Sequence, residues 1–295
     1  MRRLVALMVL ALATAACTTG PATGTGPGAT ASPSPSASVS VSPSPGATTQ
    51  VTVYYLVASP KKVYLAPERH GVGRTAAIAK AALDELVHGT AQDPDHTTPY
   101  PRESTINSVT IAAGVATVDW NADVLAASVG SETEALAIQE VVYTLTGFPP
   151  ISKVRFTVEG RDRGTASNGR TIEDWWGHAG LEGQPWARAG ALDVLAPIAL
   201  YSPLEGESSA GTLTLSGEAS TFEATVAIAL RDASGTVVVR TSATATEAAP
   251  ARGTFAKTIR FSQPGAAQTW ILQVFETSAE DGSVRFMEDR HIRVG

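Results

Sequence analysis

Cys17 is the single cysteine among 295 residues, and its thiol is the side chain best suited to covalent chemistry. A lone thiol can serve as a catalytic nucleophile, a buried structural side chain or an attachment point. The flanking sequence favours attachment, because a positive start, an apolar run over residues 4–13 and small residues at 14–16 precede the cysteine. This order is typical of a secretory signal peptide, and the uncharged stretch is shorter than the about 18 residues that a transmembrane helix needs.

A second candidate for chemistry is an acidic motif near the middle of the chain. Asp119, Asn121 and Asp123 have the D-x-N-x-D spacing of the first half of an EF-hand calcium loop. The second half departs from that motif, because Val124 stands where the turn needs glycine and Gly130 where the bidentate glutamate belongs. We therefore interpret the motif as a strand-end turn rather than a calcium site.

The histidines do not have the H-x-x-x-H or H-x-H spacing of a zinc site and have no cysteine companions, so zinc is not expected. A Ser-His-Asp triad can assemble from distant positions and is left open, although no G-x-S-x-G motif is present. The acidic residues that could flank a glycosidic bond are better explained as helix faces and caps. We therefore predict no catalytic residue, no metal and no cofactor. The histidines are His70, His88, His96, His178 and His291, and the acidic residues include Asp84, Glu85, Asp119 and Glu134.

The segment LATAAC, residues 12–17, resembles the lipobox of bacterial lipoproteins, in which a cysteine is diacylated and becomes the mature N-terminus. Thr14 departs from the usual leucine three residues before the cysteine. The resemblance implies that residues 1–16 are a lipoprotein signal peptide and that Cys17 is the lipidation site, anchoring an extracytoplasmic protein to the cell membrane. Two acyl chains give stable anchoring, because each buried methylene contributes about 0.8 kcal/mol. The alternative is an ordinary signal peptide with an incidental cysteine.

Residues 17–50 are predicted to be a disordered linker that begins at the lipidated cysteine. From residue 18 onward this segment contains no charged and no aromatic side chain, so it cannot bury enough apolar surface to offset the entropy of ordering. Its Ser-Pro alternation favours an extended conformation of about 3.1 Å per residue. The folded part of the protein is thus expected to stand well away from the membrane.

Composition limits the classes of partner and the organisation of the rest of the chain. The net charge is -6, and this acidic balance argues against a nucleic-acid partner. The residues after the linker are numerous enough for two domains of ordinary size. The chain has a high content of alanine, glycine and threonine and contains more arginine than lysine. This composition suggests a GC-rich, actinobacterial genome.

Residues 51–160 are predicted to form the first domain, an α+β fold of order β-α-β-β-α-β near the ferredoxin-like pattern. An S-x-x-E capping box at Ser131 and Glu134 marks the start of the second helix, which ends before Gly147. Ala113 and Gly114 mark a hairpin between the two central strands. The predicted strands cover 51–57, 108–112, 115–120 and 154–158, and the first helix covers 74–87.

The segments DELVHG, GVATVDWN and SETEALAIQEVVYTLTGFPPISKVRFTVEG, in this order over residues 84–160, are similar to the GerM-type domain named from sporulation and spore germination proteins. The resemblance covers about 110 residues. It implies an extracytoplasmic α/β module of cell-envelope lipoproteins, related in fold to the ring-building domains of sporulation assemblies. It brings no catalytic residues, and the domain also recurs outside spore-forming organisms.

Residues 161–196 are predicted to be a Trp-containing segment between the two domains. The segment is rich in glycine and turn-forming residues, yet it contains Trp175, Trp176 and Trp186. Exposed tryptophans could stack on a glycan or anchor a protein partner, which makes these residues candidate partner-binding positions. The favoured alternative is that they wedge the two domains together.

Residues 197–295 are predicted to form an immunoglobulin-like β-sandwich, because seven short alternating runs occur at roughly ten-residue spacing. Ser234-Gly235 and Asp281-Gly282 mark hairpin turns. The segments SPLEG, LSGEASTFEATV, LRDASG, GTFAKTIRF and FETSAEDGS resemble the immunoglobulin-like domain of bacterial spore germination proteins. That family implies a binding or spacing module without a catalytic set.

These observations together predict a non-enzymatic, membrane-anchored envelope lipoprotein that acts as a binding or scaffold module. Its expected partners are the membrane, through Cys17, and an envelope protein or peptidoglycan. One alternative is a peptidoglycan hydrolase or a hydrolase activator. Another is a solute-binding lipoprotein, which usually needs two similar α/β lobes around a cleft, whereas one α/β unit is visible here.

Overall fold

The computed structural model describes residues 48–60, 62–127, 129–177 and 180–295. Cys17, the signal peptide and the linker up to residue 47 lie outside the described residues, so the predictions for them stay predictions. The described residues belong to one compact unit. Within these ranges no helix combines the length and apolar character needed to cross a bilayer.

The first domain begins with a long antiparallel hairpin of β1 (Thr48–Ser59) and β2 (Lys62–Gly73), and β3 (His96–Thr97) pairs with the other edge of β1. β2 is missing from the predicted order of elements. Its sequence contains Pro67 and two glycines, which weaken a strand pattern. Proline is tolerated here because β2 is an edge strand of this sheet.

A second three-stranded sheet completes the strands of the first domain. β4 (Ile106–Ala112) and β5 (Val115–Trp120) form the predicted antiparallel hairpin, and β6 (Lys153–Val158) lies parallel to β5. Ala113 and Gly114 have φ of 48° and 77°, the positive values that a type I′ hairpin turn requires at both central residues. The first domain therefore contains two small sheets rather than the single sheet of the ferredoxin-like pattern.

Two helices pack against these sheets and complete the core of the first domain. α1 (Ile78–His88) contacts β1 and β4, and α2 (Ser131–Leu145) contacts β1 and β6. The predicted capping box is wrong, because Gly130 rather than Ser131 occupies the N-cap of α2, and none of the described side chains caps the helix. The apolar stripe was predicted correctly, since Ile138, Val142 and Leu145 are all buried.

The second domain is a β-sandwich, as the alternating pattern predicted. One sheet has the order β11-β10-β13-β14-β8 and the other has the order β12-β9-β7. All seven predicted strands are present, and the short β8 is additional. The strands are β7 (Ile198–Ser202), β8 (Ser208–Ser209), β9 (Thr212–Ala219), β10 (Thr225–Arg231), β11 (Val237–Thr244), β12 (Gly253–Arg260), β13 (Gln268–Thr277) and β14 (Val284–Val294).

The β1–β2 hairpin contributes to the cores of both domains. Val53 and Tyr55 of β1 lie in the core of the first domain, whereas Val57 and Ala66 pack into the core of the sandwich. A third apolar cluster lies at the junction and is formed by the hairpin, α2 and the connecting segment. Its buried members are Leu56, Leu65, Leu136, Tyr143, Val194 and Leu195. The short helix α3 (Ala191–Val194) lies in this segment. The two domains therefore share packed side chains.

Candidate functional site

The most unusual feature of the structure is a set of charged side chains at the junction of the two domains, which we call the ionic cluster. Burying a charge is costly unless the charge is paired, so a buried cluster of charges is a candidate for a functional role. It consists of Glu68 and His70 of β2, Glu85 of α1, Asp93 and Asp95 of the loop before β3, His96 of β3, and Glu288 and Arg290 of β14.

The alternation of side chains along two strands turns part of the cluster inward. In β2, Glu68 and His70 are buried on the same face as Ala66 and Val72. In β14, buried and exposed residues alternate from Phe286 to Val294, and this period of two places Glu288 and Arg290 at buried positions. A tight turn, closed by the His96 amide donating to the Asp93 carbonyl at 3.1 Å, brings residues 93, 95 and 96 close together.

Glu68 is the centre of the first-domain part of the cluster. Its Oε2 lies 2.6 Å from His70 Nε2, and its Oε1 lies 2.6 Å from His96 Nδ1. The backbone amides of Gln92 and Asp93 donate to the same carboxylate at 2.7 and 3.0 Å. His70 Nδ1 also lies 2.8 Å from Glu85 Oε1. A single buried carboxylate therefore orients both imidazole rings.

His96 and Glu288 face one another across the domain interface without a hydrogen bond. His96 Nε2 and Glu288 Oε1 are 3.9 Å apart, and both side chains are 2% exposed. Neither atom has a hydrogen-bond partner among the described residues. A distance of 3.9 Å is too long for an N–H···O hydrogen bond, so a gap separates two buried polar atoms.

Arg290 is the buried cation that the second domain contributes. Its Nη1 pairs with Asp93 Oδ2 of the first domain and lies 3.2 Å from Glu288 Oε2. Its Nη2 donates to the Leu200 carbonyl at 3.4 Å. Near the cluster, the guanidinium of Arg69 stacks over the ring of Tyr201 at 4.1 Å. These contacts tie β2 and its loops to β7 and β14.

The electrostatic environment moves several pKa values in the cluster. Burial alone would raise the pKa of Glu68, but hydrogen bonds from His70, His96 and the Gln92 amide lower it to about 2. Burial would lower the pKa of His96, yet the carboxylates of Glu288 and Glu68 raise it to about 9. Burial also lowers the pKa of Arg290 to about 10. The carboxylates of the cluster thus favour positive charge at His96.

Part of the cluster also brings three potential metal ligands close together. Asp93, Asp95 and His96 each offer one ligand atom, and these atoms all lie within 4.8 Å of one another. Asp93 and His96 are buried, whereas Asp95 is exposed to solvent. The arrangement can therefore join the domains electrostatically and can offer ligands to a cation.

The structure does not place the predicted tryptophans at an exposed surface or between the domains. Trp175 and Trp176 are 3% exposed and pack in the core of the first domain. Trp175 lies 5.6 Å from Phe156 and 6.2 Å from Trp120, between ring centroids. Trp186 is half-buried against the same core. These residues hold segment 161–196 on the first domain, so the wedge interpretation was wrong, and the rings of Trp175 and Trp176 are not exposed to a partner.

The acidic motif forms the strand-end turn that the sequence indicated. Asp119 accepts hydrogen bonds from the Thr157 hydroxyl at 2.8 Å and from the Gly160 amide at 2.6 Å. Asn121 accepts from the Thr105 amide at 2.9 Å and donates to Asp123 at 2.7 Å. The polar groups of the motif thus connect neighbouring strands and loops.

Sequence reasoning missed the ionic cluster, because its residues come from four separate regions of the chain. One signal was present in the alternating run of β14, where Glu288 and Arg290 occupy the same register as the apolar Phe286 and Ile292. Charged residues at core positions of a strand are exceptions to binary patterning, and such exceptions mark a buried polar function.

The structure defines a two-domain protein in which an α+β domain shares packed side chains with an immunoglobulin-like β-sandwich. Residues 52–164 match the family model described as "Sporulation and spore germination". Residues 197–283 match the model described as "Immunoglobulin-like domain of bacterial spore germination". The chain thus contains a GerM-type domain followed by an immunoglobulin-like domain of bacterial spore germination, and both predicted resemblances are confirmed.

Solved structures of related domains give low overall superposition scores. The tandem GerMN domains of the sporulation protein GerM from Bacillus subtilis are 22% identical, with 52% of this chain and 50% of that chain covered and a TM-score of 0.38. This chain therefore spans half the length of that tandem structure. The first GerMN domain of the same protein is 26% identical over 42% of this chain and 92% of that chain, with a TM-score of 0.34.

A putative lipoprotein from Clostridium perfringens is 14% identical over 39% of this chain and 76% of that chain, with a TM-score of 0.27. A search of the curated proteins found no match. The domain assignment therefore rests on the two family models.

Proposed function

We propose that this protein is a lipid-anchored, non-enzymatic envelope protein whose two domains act together as one binding or scaffold body at the cell surface or wall. In this proposal Cys17 carries the lipid anchor and the linker sets the distance from the membrane. The two families that match this chain are both described by a role in spore germination, and neither description names a reaction. An accessory role without catalysis suits both.

The observation that carries the proposal is the packing of the β1–β2 hairpin into both domains. Val57 and Ala66 belong to the core of the sandwich, although they lie in strands of the first domain. Domain pairs joined by a flexible linker usually move relative to one another. A shared core removes that freedom, which is the property that a spacer or scaffold needs.

A surface cavity at the junction is the place where we propose that a partner binds. The cavity has a volume of about 310 Å³, and its lining includes Tyr64, Leu192, Pro197 and Arg285. Leu192 is 54% exposed. An exposed large apolar side chain at the rim of a cavity is a favourable anchor point for a protein partner.

The anchor is tested by metabolic labelling of cells with a clickable fatty acid, comparing the wild type with Cys17→Ser. We expect the wild type to carry the label and to sediment with membranes, and the variant to lose both properties. Equal labelling of the two proteins would contradict lipidation at Cys17.

The scaffold role is tested by photocrosslinking in living cells, with a photoreactive residue at Leu192 and, as the matched control, at the exposed Ile111 of β4. We expect Leu192 to capture one dominant protein or wall glycan that Ile111 does not capture. The Cys17→Ser background should abolish this capture, because the unanchored protein leaves the membrane. Release of soluble fragments from peptidoglycan by the purified chain would instead support the hydrolase alternative.

A further inference from the structure

We propose that the ionic cluster contains a binding site for one divalent transition-metal cation at the junction of the two domains. The ligands of this site are Asp93, Asp95, His96 and Glu288. The proposal goes beyond the scaffold function and does not depend on it.

Two buried atoms without hydrogen bonds point to the missing ligand. His96 Nε2 and Glu288 Oε1 face one another at 3.9 Å, and neither has a hydrogen-bond partner among the described residues. In a tetrahedral site, two ligand atoms at about 2.0–2.1 Å from zinc lie about 3.3–3.4 Å apart, so the two atoms need to approach by about half an ångström. A cation thus fits between these atoms with small side-chain shifts, whereas a direct hydrogen bond does not span the gap.

The second imidazole nitrogen of His96, Nδ1, has a carboxylate partner, as is usual for metal-binding histidines. His96 Nδ1 lies 2.6 Å from the buried carboxylate of Glu68. A histidine that binds a metal almost always donates its second N–H to a carboxylate, a carbonyl or water, which fixes the ring and its tautomer. A metal ion that binds here displaces the proton that the neighbouring carboxylates favour on Nε2; the remaining proton stays on Nδ1, and the lone pair of Nε2 faces Glu288.

Arg290 contacts one carboxylate oxygen each of Asp93 and Glu288 and leaves the other oxygen of each without a contact to Arg290. It contacts Oδ2 of Asp93 and Oε2 of Glu288. Oε1 of Glu288 is left without a hydrogen bond among the described residues, and Oδ1 of Asp93 accepts only a long contact of 3.4 Å from the Asp95 amide. One oxygen of each carboxylate therefore stays open to a cation.

The charges of the cluster also favour a cation. Metal binding requires a neutral His96. The three buried carboxylates, Glu68, Asp93 and Glu288, then outnumber the two remaining buried bases, His70 and Arg290, so the buried part of the cluster keeps an excess of negative charge. Uncompensated charge in a buried site is costly. A divalent cation offsets that excess.

The donor set indicates the class of metal. An imidazole nitrogen suits zinc and other transition metals, and carboxylate oxygens suit zinc and manganese. Calcium prefers six to eight oxygen ligands, which a histidine-containing site of four residues does not supply. The exposed Asp95 gives the cation a route from solvent. Since Glu288 comes from the second domain and the other ligands from the first, the bound metal would lock the two domains together.

The test is calorimetric titration of the purified, chelator-treated full chain with Zn²⁺, and in parallel with Mn²⁺ and Ca²⁺, in a Cys17→Ser background that removes the thiol. We expect one equivalent of Zn²⁺ or Mn²⁺ to bind and Ca²⁺ to bind more weakly. Glu288→Gln and His96→Gln should weaken binding at least about tenfold, since even the loss of an outer-shell partner costs about 10–100-fold. His88→Gln is the matched control, because it makes the same change at an exposed histidine.

A second measurement does not depend on how the variants fold. Anomalous diffraction from zinc-soaked crystals of the Cys17→Ser chain should place one metal within about 2.0–2.2 Å of His96 Nε2 and Glu288 Oε1. The proposal is overturned if less than one equivalent binds, if Glu288→Gln and His96→Gln bind as tightly as His88→Gln, if Ca²⁺ binds most tightly, or if the metal lies elsewhere. In those cases a proton on His96, paired electrostatically with Glu288, fills the gap instead.

Discussion

Arg290 of the β-sandwich and Asp93 of the α+β domain form a buried ion pair across the domain interface, although 197 positions separate them in the chain. Both side chains are almost completely buried. Breaking such a pair leaves the other charge without compensation in a medium of low polarity. The pair therefore makes the stability of each domain depend on the presence of the other.

The first prediction concerns that pair. Arg290→Met should lower the free energy of unfolding by about 3–5 kcal/mol, because Asp93 would be left as a buried charge without its cationic partner. Denaturant unfolding followed by circular dichroism measures the change. Arg293→Met, at an exposed position of the same strand, should change stability by less than about 0.5 kcal/mol. Equal stabilities of the two variants would refute the role assigned to Arg290.

The second prediction separates a core role from a binding role for the tryptophans. Trp175→Ala should destabilise the protein by about 3–5 kcal/mol, because it removes a buried indole from the first-domain core. Phe222→Ala is the control, since Phe222 is 54% exposed and should cost little. Thermal unfolding followed by near-ultraviolet circular dichroism reports both changes. A Trp175→Ala variant with unchanged stability would show that the indole does not support the core.

The third prediction concerns the close approach of β9 to its neighbours. A Cβ atom at Gly217 would lie 2.2 Å from the Ala199 carbonyl and 2.8 Å from the ring of Phe255, which requires the strands to separate. Gly217→Ala should therefore cost at least about 2 kcal/mol through overpacking. Gly265→Ala has nothing within 4 Å of the added Cβ and should be neutral or slightly stabilising. Urea unfolding of the Gly217→Ala and Gly265→Ala variants measures the difference. Similar unfolding midpoints for the two variants would count against the close packing of β9 at Gly217.

The fourth prediction is a pH dependence that originates at Glu140, a fully buried residue of α2. Burial raises the pKa of Glu140 well above its usual range, and the Thr98 hydroxyl, which donates to the carboxylate at 3.2 Å, opposes this only in part. The native state therefore keeps a proton that the unfolded state releases above about pH 4.5. Stability should fall as the pH rises from that point, with a limiting slope of about 1.4 kcal/mol per pH unit for one proton.

Glu140→Gln removes this proton uptake, so above about pH 4.5 its stability should fall less steeply with rising pH than that of the wild type. The nearby Tyr55 and Tyr100 are common to both proteins, so the difference between the two stability curves isolates Glu140. The exposed Glu103→Gln variant should keep the wild-type slope. Parallel curves for the wild type and Glu140→Gln would mean that Glu140 is already ionised in the native state.

Much of the second domain could be predicted, because its signals are local. Strands such as β9 and β12 alternate buried and exposed residues, and turn residues such as Gly235 and Gly282, with φ of 84° and 72°, separate strands of the sandwich. The first domain was predicted less completely. β2 was missed because Pro67 and its buried charged residues hide the alternation, and its position as an edge strand is a property of the folded sheet.

The amino-acid sequence by itself determined the two domain classes, the β-sandwich strands, the hairpin at Ala113-Gly114 and the apolar stripe of α2, since these features depend on the periodicity of neighbouring residues. Only the tertiary structure decided that Trp175 and Trp176 are core residues and that β1 and β2 serve both domains. It also decided that His96 and Glu288, far apart in the chain, face each other across a gap of 3.9 Å. Such contacts arise when separate elements pack together, and no local pattern of residues contains them.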